Sequence, residues 1–283
     1  DGQIELQDSD CECVLIKPES LIPNASFEET DCCPETQSEL HCVTGWIQAS
    51  LPTTDYINIC GWMGWDNEDD QFPPPQPFPD GTGVVGFRNG VYFPPGDGPD
   101  PLGYVQPNWK EYAGACLLRP MEAKGAYRIE FDLGFVNSTS SPPINITLFG
   151  TTDCEHLPFG AGVGEPLTGC PTNTDEWVEL GHVLVSGGAN TWVKSAIEVY
   201  HDEDIVAIAI GPDCDNNLNG HNRYYFLDNL ILDEARFFAA DIFSTFHPCT
   251  DDYILAIEEH TGLTYQWYKE GIALVGETAP ALS

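Results

Sequence analysis

The sequence predicts an all-β fold, an antiparallel β-sandwich, and three observations support this prediction. No segment of the 283 residues repeats apolar side chains at the 3.6-residue period of an amphipathic helix. Short runs rich in β-branched and aromatic residues recur instead, and 27 Gly and 23 Pro punctuate the chain at short intervals. Several short strands with turn signals between them are typical of sandwiches.

The clearest predicted strand is 126–135. There Tyr127, Ile129 and Phe131 alternate with charged residues, which indicates a strand with one face in a core. Further strands are predicted at 83–87, 144–149, 177–185, 191–200, 205–210 and 224–232. The Gly/Pro-rich stretches 66–80 and 92–107 cannot be interior strands, because proline removes a hydrogen-bond donor and fixes φ. They are exposed loops or loops that face a ligand.

The charge of the chain excludes two classes of partner. Ten Lys and Arg against 45 Asp and Glu give a net charge of −35. Nucleic acids are bound mainly by neutralising phosphates with basic side chains, so we expect no nucleic-acid partner. An anionic membrane surface would repel the chain, and its longest apolar runs, such as 205–210, are too short to insert. A hydrophobic content of 42% is ample for a packed core.

The cysteine pattern predicts a secreted or cell-surface protein. Eleven cysteines are spread along the chain, and no Cys-x-x-Cys units stand at zinc-ribbon spacing. We therefore expect disulfides formed outside the cytoplasm. The most local prediction pairs Cys154 with Cys170, and the other pairings stay open. The chain begins at Asp1 without a basic–apolar leader, as expected if a signal peptide was removed or a fragment was cut.

A series of motifs runs from Leu21 to Leu232. LIPNASFEE opens it, CVTGW and PFPDGTGVVGF follow, WKEYAGACLLRPMEAKGAYRIEFDL gives two strands joined by a turn, and NRYYFLDNLIL closes it. Together these motifs resemble the jelly-roll, galactose-binding-like or carbohydrate-binding-module-like domains of large secreted Bacteroidetes adhesins. The resemblance implies a jelly-roll β-sandwich in a cell-surface protein exported by the type 9 secretion system.

The resemblance also implies calcium, which in related jelly rolls ties the first strand to the last. The implied ligands are Glu28 of the opening motif and Asp228 of the closing motif, with Asn24 and Asp80 as further candidates. Calcium prefers several oxygen ligands, so carboxylates from both ends of the domain suit it. In the alternative interpretation Asp228 hydrogen-bonds to backbone and Glu28 is solvated.

A second calcium hypothesis concerns 213–220, where acidic and amide residues alternate as at the start of an EF-hand loop. The match fails at the twelfth position, which is Tyr224 instead of a bidentate Glu. An Asx-rich turn held by Cys214 is the favoured interpretation.

The composition changes after 237–248. Residues 249–283 resemble the first half of an immunoglobulin-like β-sandwich, in which Cys249 on an early strand precedes Trp267, the expected core aromatic. This segment is too short to close a sandwich, so we expect the natural chain to continue with further immunoglobulin-like domains and Cys249 to pair there. The predicted organisation is an N-terminal extension over 1–20, a jelly roll over 21–236 and a truncated immunoglobulin-like start over 237–283.

The sequence favours binding over catalysis. Gly-x-Ser-x-Gly, His-Glu-x-x-His and P-loop motifs are absent, and the seven histidines are scattered, so we predict that the chain is not an enzyme. Trp62 and Trp65, with Tyr56 upstream, are candidates for glycan binding, because sugars stack on aromatic rings and nearby polar groups accept hydroxyl hydrogen bonds. In the alternative interpretation the tryptophans fill one end of the sandwich.

These observations predict a non-catalytic extracellular binding module, and the resemblance implies an adhesion module of a large bacterial surface protein, such as a gliding or attachment adhesin. Its expected partner is an extracellular glycan or surface polysaccharide, and its expected cofactor is calcium. Two alternatives stay open: a carbohydrate-binding module of a secreted polysaccharide-degrading enzyme, and a structural surface subunit without a ligand. A catalytic domain elsewhere in the parent protein would favour the former, and buried rings at Trp62 and Trp65 would favour the latter.

Overall fold

The computed structural model describes residues 11–12, 20–66, 71–92, 106–160, 170–173, 175–215, 223–238, 242–247, 252–257, 267–269 and 272–282. These residues form β-strands and short 3-10 helices and no α-helix, which confirms the all-β prediction. None of their helices is long and apolar enough to cross a membrane. The chain divides into two compact units, Ser20–Asp233 and a smaller one made of Asp1–Glu19 with Glu234–Ser283.

The elements follow one another along the chain in this order. The strands are β1 (Cys11–Glu12), β2 (Trp46–Gln48), β3 (Asp55–Asn58), β4 (Trp65–Asp66), β5 (Gln71–Phe72), β6 (Gly83–Tyr92), β7 (Gln106–Lys110), β8 (Ala113–Met121), β9 (Ala126–Phe135), β10 (Ile144–Thr151), β11 (Val178–Val185), β12 (Thr191–Tyr200), β13 (Ile205–Pro212), β14 (Tyr224–Glu234), β15 (Ile242–His247), β16 (Asp252–Ile257), β17 (Tyr268–Lys269), β18 (Ile272–Ala273) and β19 (Ala281–Leu282). The 3-10 helices are Leu40–Cys42, Cys154–His156, Pro171–Asn173 and Ala235–Phe238.

Two sheets form the sandwich of the larger unit. One has the strand order β11-β10-β13-β8-β2, and the other has the order β12-β9-β14-β6-β3 with β7 paired to β6. Their neighbouring strands run antiparallel. From β8 to β14 the chain changes sheet at every step except the β10–β11 connection. This topology confirms the predicted jelly-roll β-sandwich.

Each strand predicted in the larger unit is present. β9 and β12 have the predicted bounds, and the other five differ by a few residues at their ends. In β9, Tyr127, Ile129 and Phe131 are buried in the core between the sheets, while Arg128 and Glu130 are half-exposed on the opposite face. Burial of each large apolar side chain stabilises the folded state by about 1.5–3 kcal/mol, so the alternation fixes which face of the strand turns inward.

Hydrogen bonds join the start of the larger unit to its end. The backbone N–H of Leu21 donates to Leu232 O at 2.7 Å, and Leu230 N–H donates to Ala25 O at 2.9 Å. The Ser20 hydroxyl donates to Leu230 O at 3.1 Å and accepts from Leu232 N–H at 3.0 Å. The opening motif therefore lies beside the last strand of the sandwich.

The disulfides correct one prediction. Bonds join Cys32 to Cys42, Cys33 to Cys60, Cys116 to Cys154, and Cys170 to Cys214. The predicted Cys154–Cys170 pair is therefore wrong. Cys154 follows β10 and bonds to β8, whereas Cys170 bonds to the residue that follows β13 by two positions. For Cys154 and Cys170, neighbourhood in the fold sets the partner, and closeness in sequence does not.

The smaller unit contains two short sheets, with strand orders β15-β16-β19 and β1-β17-β18. Trp267 is buried, and its indole N–H donates to Ala279 O at 2.8 Å, which confirms it as a core aromatic. Cys249 lies outside the described residues. The immunoglobulin-like assignment of this unit and the predicted domain boundaries stay predictions.

We predict that removing the Cys170–Cys214 bond destabilises the larger unit. The bond joins residues 44 positions apart, and a disulfide restricts the unfolded chain. The double substitution Cys170→Ser, Cys214→Ser should therefore lower the free energy of unfolding by about 2–4 kcal/mol in a denaturant titration. Peptide mapping of the unreduced protein supplies the control, and recovery of a peptide linking Cys154 to Cys170 would contradict the structure.

Candidate functional site

An open groove lies between two loop segments of the larger unit. It has a volume of 870 Å³ and is lined by residues from 33–37 and 60–66. Trp62, Trp65 and Asp66 come from one segment, and Glu35 and Gln37 come from the other. The structure therefore brings both tryptophans that the sequence singled out into one groove, together with carboxylate and amide groups.

The two walls of the groove are fixed to each other. A disulfide joins Cys33 to Cys60, and the backbone N–H of Trp62 donates to Pro34 O at 2.7 Å. At Gly61 a Cβ atom would lie 2.0 Å from Pro34 O, a distance that real Cβ atoms do not reach, so this close approach requires glycine. The separation of the walls is therefore set by covalent and backbone contacts.

The two tryptophans are half-buried. Their ring centroids are 5.9 Å apart and their planes meet at 83°, an edge-to-face arrangement. Both pack against an apolar cluster on the outer face of the β3-β6-β14 sheet, and both also line the groove. The two rings therefore pack against the sheet and still present surface to the groove. The first contact agrees with a structural role, and the second leaves surface on which a sugar could stack.

A buried carboxylate holds Trp65 in place. The Trp65 indole N–H donates to Asp55 Oδ2 at 2.9 Å, and the same oxygen accepts from the Tyr224 hydroxyl at 2.5 Å. Asp55 Oδ1 accepts from the backbone N–H of Ser38 at 2.8 Å. Burial raises the pKa of Asp55, and these hydrogen bonds oppose the rise. Gly86 pairs with Asp55 across the sheet, and a Cβ there would lie 2.1 Å from the Tyr224 hydroxyl oxygen.

A second buried acid lies close to the first. The Arg88 guanidinium carbon lies 4.5 Å from the centroid of the Trp65 ring, a cation–π contact. The backbone N–H of Arg88 donates to Glu111 Oε2 at 2.6 Å, and the Trp109 indole donates to Glu111 Oε1 at 2.7 Å. Burial, and then the charge of Asp55, raises the pKa of Glu111 to about 8. The Trp65 ring thus rests on a network of two acids and one arginine.

Sequence reasoning missed this network. Asp55, Arg88, Glu111 and Tyr224 are far apart in the chain, and 45 acidic residues hide any single pair. The sequence feature that could have indicated this network is the position of Asp55 and Arg88 within strands. A charged side chain that is buried there needs a hydrogen-bonding or charged partner.

Tyr56 is not part of the groove, which corrects the third glycan-binding prediction. Its side chain is fully buried in the core between the sheets, and its hydroxyl donates to Phe27 O at 2.9 Å. Tyr56 is the second residue of β3, so the alternation of side chains that turns Asp55 outward turns Tyr56 inward. A sugar cannot stack on this ring.

Two of the predicted calcium ligands meet at the closing motif. Asp228 is fully buried, and its Oδ2 accepts from the backbone N–H of Asp80 at 3.1 Å while its Oδ1 accepts from Asn229 N–H at 2.7 Å. Burial, and then the charges of Asp80 and Asp132, raises the pKa of Asp228 to about 8. A cation would relieve this repulsion, so the chemistry of Asp228 and Asp80 fits calcium.

The other two candidates use their polar atoms within the protein. Glu28 Oε1 accepts from the backbone N–H groups of Thr82 and Gly83, both at 2.7 Å. The Asn24 side chain donates to Glu29 O at 2.8 Å and to Thr44 O at 3.0 Å, and accepts from Glu29 N–H. Among the described residues, Glu28, Asp80 and Asp228 do not bring three carboxylates within 4.8 Å of one another.

The group that does meet this distance within the described part of the chain is Cys32, His41 and Cys42. Its two sulfurs are joined in a disulfide. Because metals bind the thiolate, this group does not form a metal centre in the oxidised protein.

The segment predicted as an Asx-rich turn begins as expected. Asp213 Oδ1 accepts from the backbone N–H of Asp215 at 3.3 Å, the pattern of an Asx turn, and Cys214 is held by its disulfide. Residues 216–222 of this segment lie outside those that the structure describes.

Comparisons with known proteins give distant structural similarity only. No family model and no curated protein matches the chain. It is similar to an arabinose-bound MgGH51 α-L-arabinofuranosidase (TM-score 0.42, 11% identity, 76% of this chain and 26% of that one). It is also similar to the K1 cleaved adhesin domain of Lys-gingipain from Porphyromonas gingivalis W83 (0.36, 12%, 74% and 95%) and to a xylan-binding domain of carbohydrate-binding module family 22 (0.35, 11%, 75% and 97%). The chain thus spans about a quarter of the arabinofuranosidase.

We predict that Glu111 makes the protein less stable as the pH rises. Its pKa is about 8 in the folded protein and near the ordinary 4.5 when unfolded, so the folded state holds the proton more tightly. The contribution is complete below pH 4.5 and is lost as the pH rises towards 8. Glu111→Gln should remove up to about 1.4 kcal/mol per pH unit of this slope in denaturant titrations.

The matched control for this experiment is Glu155→Gln, because Glu155 is exposed. It should reproduce the slope of the unsubstituted protein. An identical slope for all three proteins would contradict the role assigned to Glu111.

Proposed function

We propose that the chain is a non-catalytic extracellular binding module that adheres to a neutral glycan through the groove. One observation carries this proposal: Trp62 and Trp65 line an open groove of 870 Å³ together with Glu35, Gln37 and Asp66. Aromatic rings that stack on sugar C–H faces, combined with acceptors for hydroxyl groups, are the chemistry of glycan recognition.

The charge of the groove selects the class of sugar. Within the described part of the chain, its lining includes the carboxylates Glu35 and Asp66 and contains no Lys, Arg or His. Arg88 contacts the Trp65 ring but is not among the lining residues. Acidic polysaccharides would therefore meet repulsion in the groove and from a chain of net charge −35. Neutral polysaccharides would not.

The proposal places this binding at a bacterial surface. Four disulfides among the described residues support an extracellular location, since such bonds persist in oxidising compartments. Export by the type 9 secretion system, further immunoglobulin-like domains, and a role in attachment or gliding extend the proposal along the sequence resemblance. The same groove would serve a carbohydrate-binding module joined to a polysaccharide-degrading enzyme, which a catalytic domain in the parent protein would reveal.

We also propose that calcium binds at the closing motif, with Asp228 and Asp80 as carboxylate ligands. Asp228 supports this assignment because it is a fully buried acid that faces two further acids, Asp80 and Asp132. Glu28 and Asn24 would then orient the opening motif through their contacts with Thr82, Gly83 and Glu29. The ion would stabilise the junction between the first and last parts of the sandwich.

We predict that the groove tryptophans are required for glycan binding. Trp62→Ala and Trp65→Ala should each weaken binding to a neutral polysaccharide at least about tenfold, because each removes a stacking surface. A glycan array that contains neutral and acidic polysaccharides, run in calcium and again in EDTA, identifies the ligand, and calorimetry measures the affinity.

Tyr200→Ala is the control, since Tyr200 is an aromatic residue 65% exposed outside the groove. It should bind like the unsubstituted protein. If the folded protein binds nothing on the array in either condition, the glycan hypothesis is wrong and a structural role is left. Binding to acidic polysaccharides alone would contradict the assignment of a neutral ligand.

We predict that calcium raises the thermal stability of the protein. The gain should reach about 2.7 kcal/mol when free calcium is one hundred times its Kd, and EDTA should reverse it. Asp228→Asn should abolish the response, whereas Asp175→Asn at an exposed position should keep it. Equal Tm values with calcium and with EDTA in the unsubstituted protein would remove the calcium proposal and leave the glycan proposal untouched.

A further inference from the structure

A buried lysine faces an asparagine on the neighbouring strand. Asn89 on β6 pairs directly with Lys110 on β7, so their side chains share one face of the ribbon. Lys110 is fully buried and Asn89 is 5% exposed. The Lys110 Nζ donates to Asn89 Oδ1 at 3.2 Å. The Lys110 amine nitrogen therefore lies next to the side-chain amide of Asn89, whose carbonyl carbon is bonded to the acceptor oxygen.

A carboxylate completes this cluster. Asp213 Oδ1 lies 3.6 Å from Lys110 Nζ and also accepts from Asp215 N–H at 3.3 Å. Asp213 Oδ2 accepts from the Asn145 amide at 3.0 Å, and its backbone N–H donates to Asn145 O at 3.2 Å. These contacts orient Asp213 so that one oxygen faces the amine. The carboxylate keeps partial contact with solvent, with a side chain 28% exposed.

The surroundings favour reactivity of the amine. Burial lowers the pKa of Lys110, while the charge of Asp213 opposes this shift. A desolvated lysine reaches its neutral, nucleophilic form more easily than an exposed one. The Tyr112 hydroxyl is also fully buried and has no hydrogen-bond partner among the residues that the structure describes, and its pKa is raised by burial and by the charge of Asp213. A buried hydroxyl and a partly exposed carboxylate thus lie near the buried amine and amide.

We propose that Lys110 and Asn89 form an intramolecular isopeptide bond, with Asp213 as the proton relay. Asp213 takes a proton from the Lys110 ammonium, and the free amine attacks the carbonyl carbon of Asn89 to form a C–N bond. The resulting acid returns this proton to the amide nitrogen of Asn89, and the C–N bond to that nitrogen breaks. The departing ammonia takes the second proton from the Lys110 nitrogen, so an ammonium group and a primary amide become a secondary amide and NH4+ without any oxidant or cofactor.

The cross-link would close the hairpin between β6 and β7. It would span the Gly/Pro-rich segment 93–105 and covalently join two strands that pulling forces could otherwise separate. It does not involve the groove residues, so it is independent of the glycan proposal.

Mass spectrometry of the whole chain tests this proposal. After reduction and alkylation, the protein should be about 17 Da lighter than the mass calculated for the alkylated sequence, through loss of ammonia. After denaturation, trypsin should not cleave at Lys110, because an acylated lysine is not a substrate. Lys110→Arg and Asp213→Asn should have the full sequence mass, and the exposed Lys194→Arg should keep the deficit.

Three results would overturn the proposal. One is a folded protein at its full sequence mass. Another is a deficit of about 17 Da that persists in Lys110→Arg, together with normal tryptic cleavage after Lys110 in the unsubstituted protein, which would identify a succinimide at Asn89-Gly90. The third is a deficit of about 18 Da mapped to Lys110 and Asp213, which would show loss of water between those side chains. The main measurement uses the unsubstituted protein, so it does not depend on the folding of any variant.

Discussion

The hydrogen bonds of one buried carboxylate hold the candidate site together. Asp55 on β3 accepts from Trp65 in the groove, from Tyr224 on β14 and from the backbone of Ser38 in the loop that follows the second groove wall. Removing a buried acceptor leaves each donor unpaired, at a cost of about 1–3 kcal/mol per group. A single side chain thus links the sheet to both loop segments, and the orientation of the Trp65 ring depends on it.

The sheet beside this carboxylate is covered on its outer face by the protein itself. Phe72 stacks on Tyr224 with ring centroids 5.2 Å apart, and the Trp192 indole donates to Pro75 O at 3.0 Å. The described part of the acidic and proline-rich stretch therefore covers the outer face of the β3-β6-β14 sheet. The groove lies at the edge of this covering segment, along Trp62 and Trp65, and not on the face of the sheet itself.

The sequence predicted the framework well and the site only in part. Alternation of apolar and polar residues sets strand faces locally, which is why β9 and β12 were predicted with their bounds. Trp62 and Trp65 were found because they are aromatic residues between Cys60 and an acidic loop, and sugars stack on such rings. Tyr56 was misplaced because its strand was not predicted, so the inward turn of its side chain could not be seen.

Contacts between segments distant in the chain were not predictable from one sequence. The partner of Cys154 is Cys116, which precedes it by two strands, and no local pattern encodes that distance. The acids Asp55 and Glu111 and the pair Asn89 and Lys110 likewise meet only when the sheets assemble. Composition did not indicate these contacts, because buried charges are rare and no single acidic residue stands out among 45.

The Cys33–Cys60 disulfide makes the spacing of the groove walls depend on oxidising surroundings. The core between the sheets is built from apolar side chains, while the two groove walls are loops joined by this bond and by the contact between Trp62 and Pro34. In a reducing compartment the sandwich would lose the stability that its own disulfides supply, and the loops would in addition lose their covalent spacing. The geometry of the groove is in this sense acquired by oxidation, so a newly made chain would hold its two walls at this separation only after the disulfide had formed.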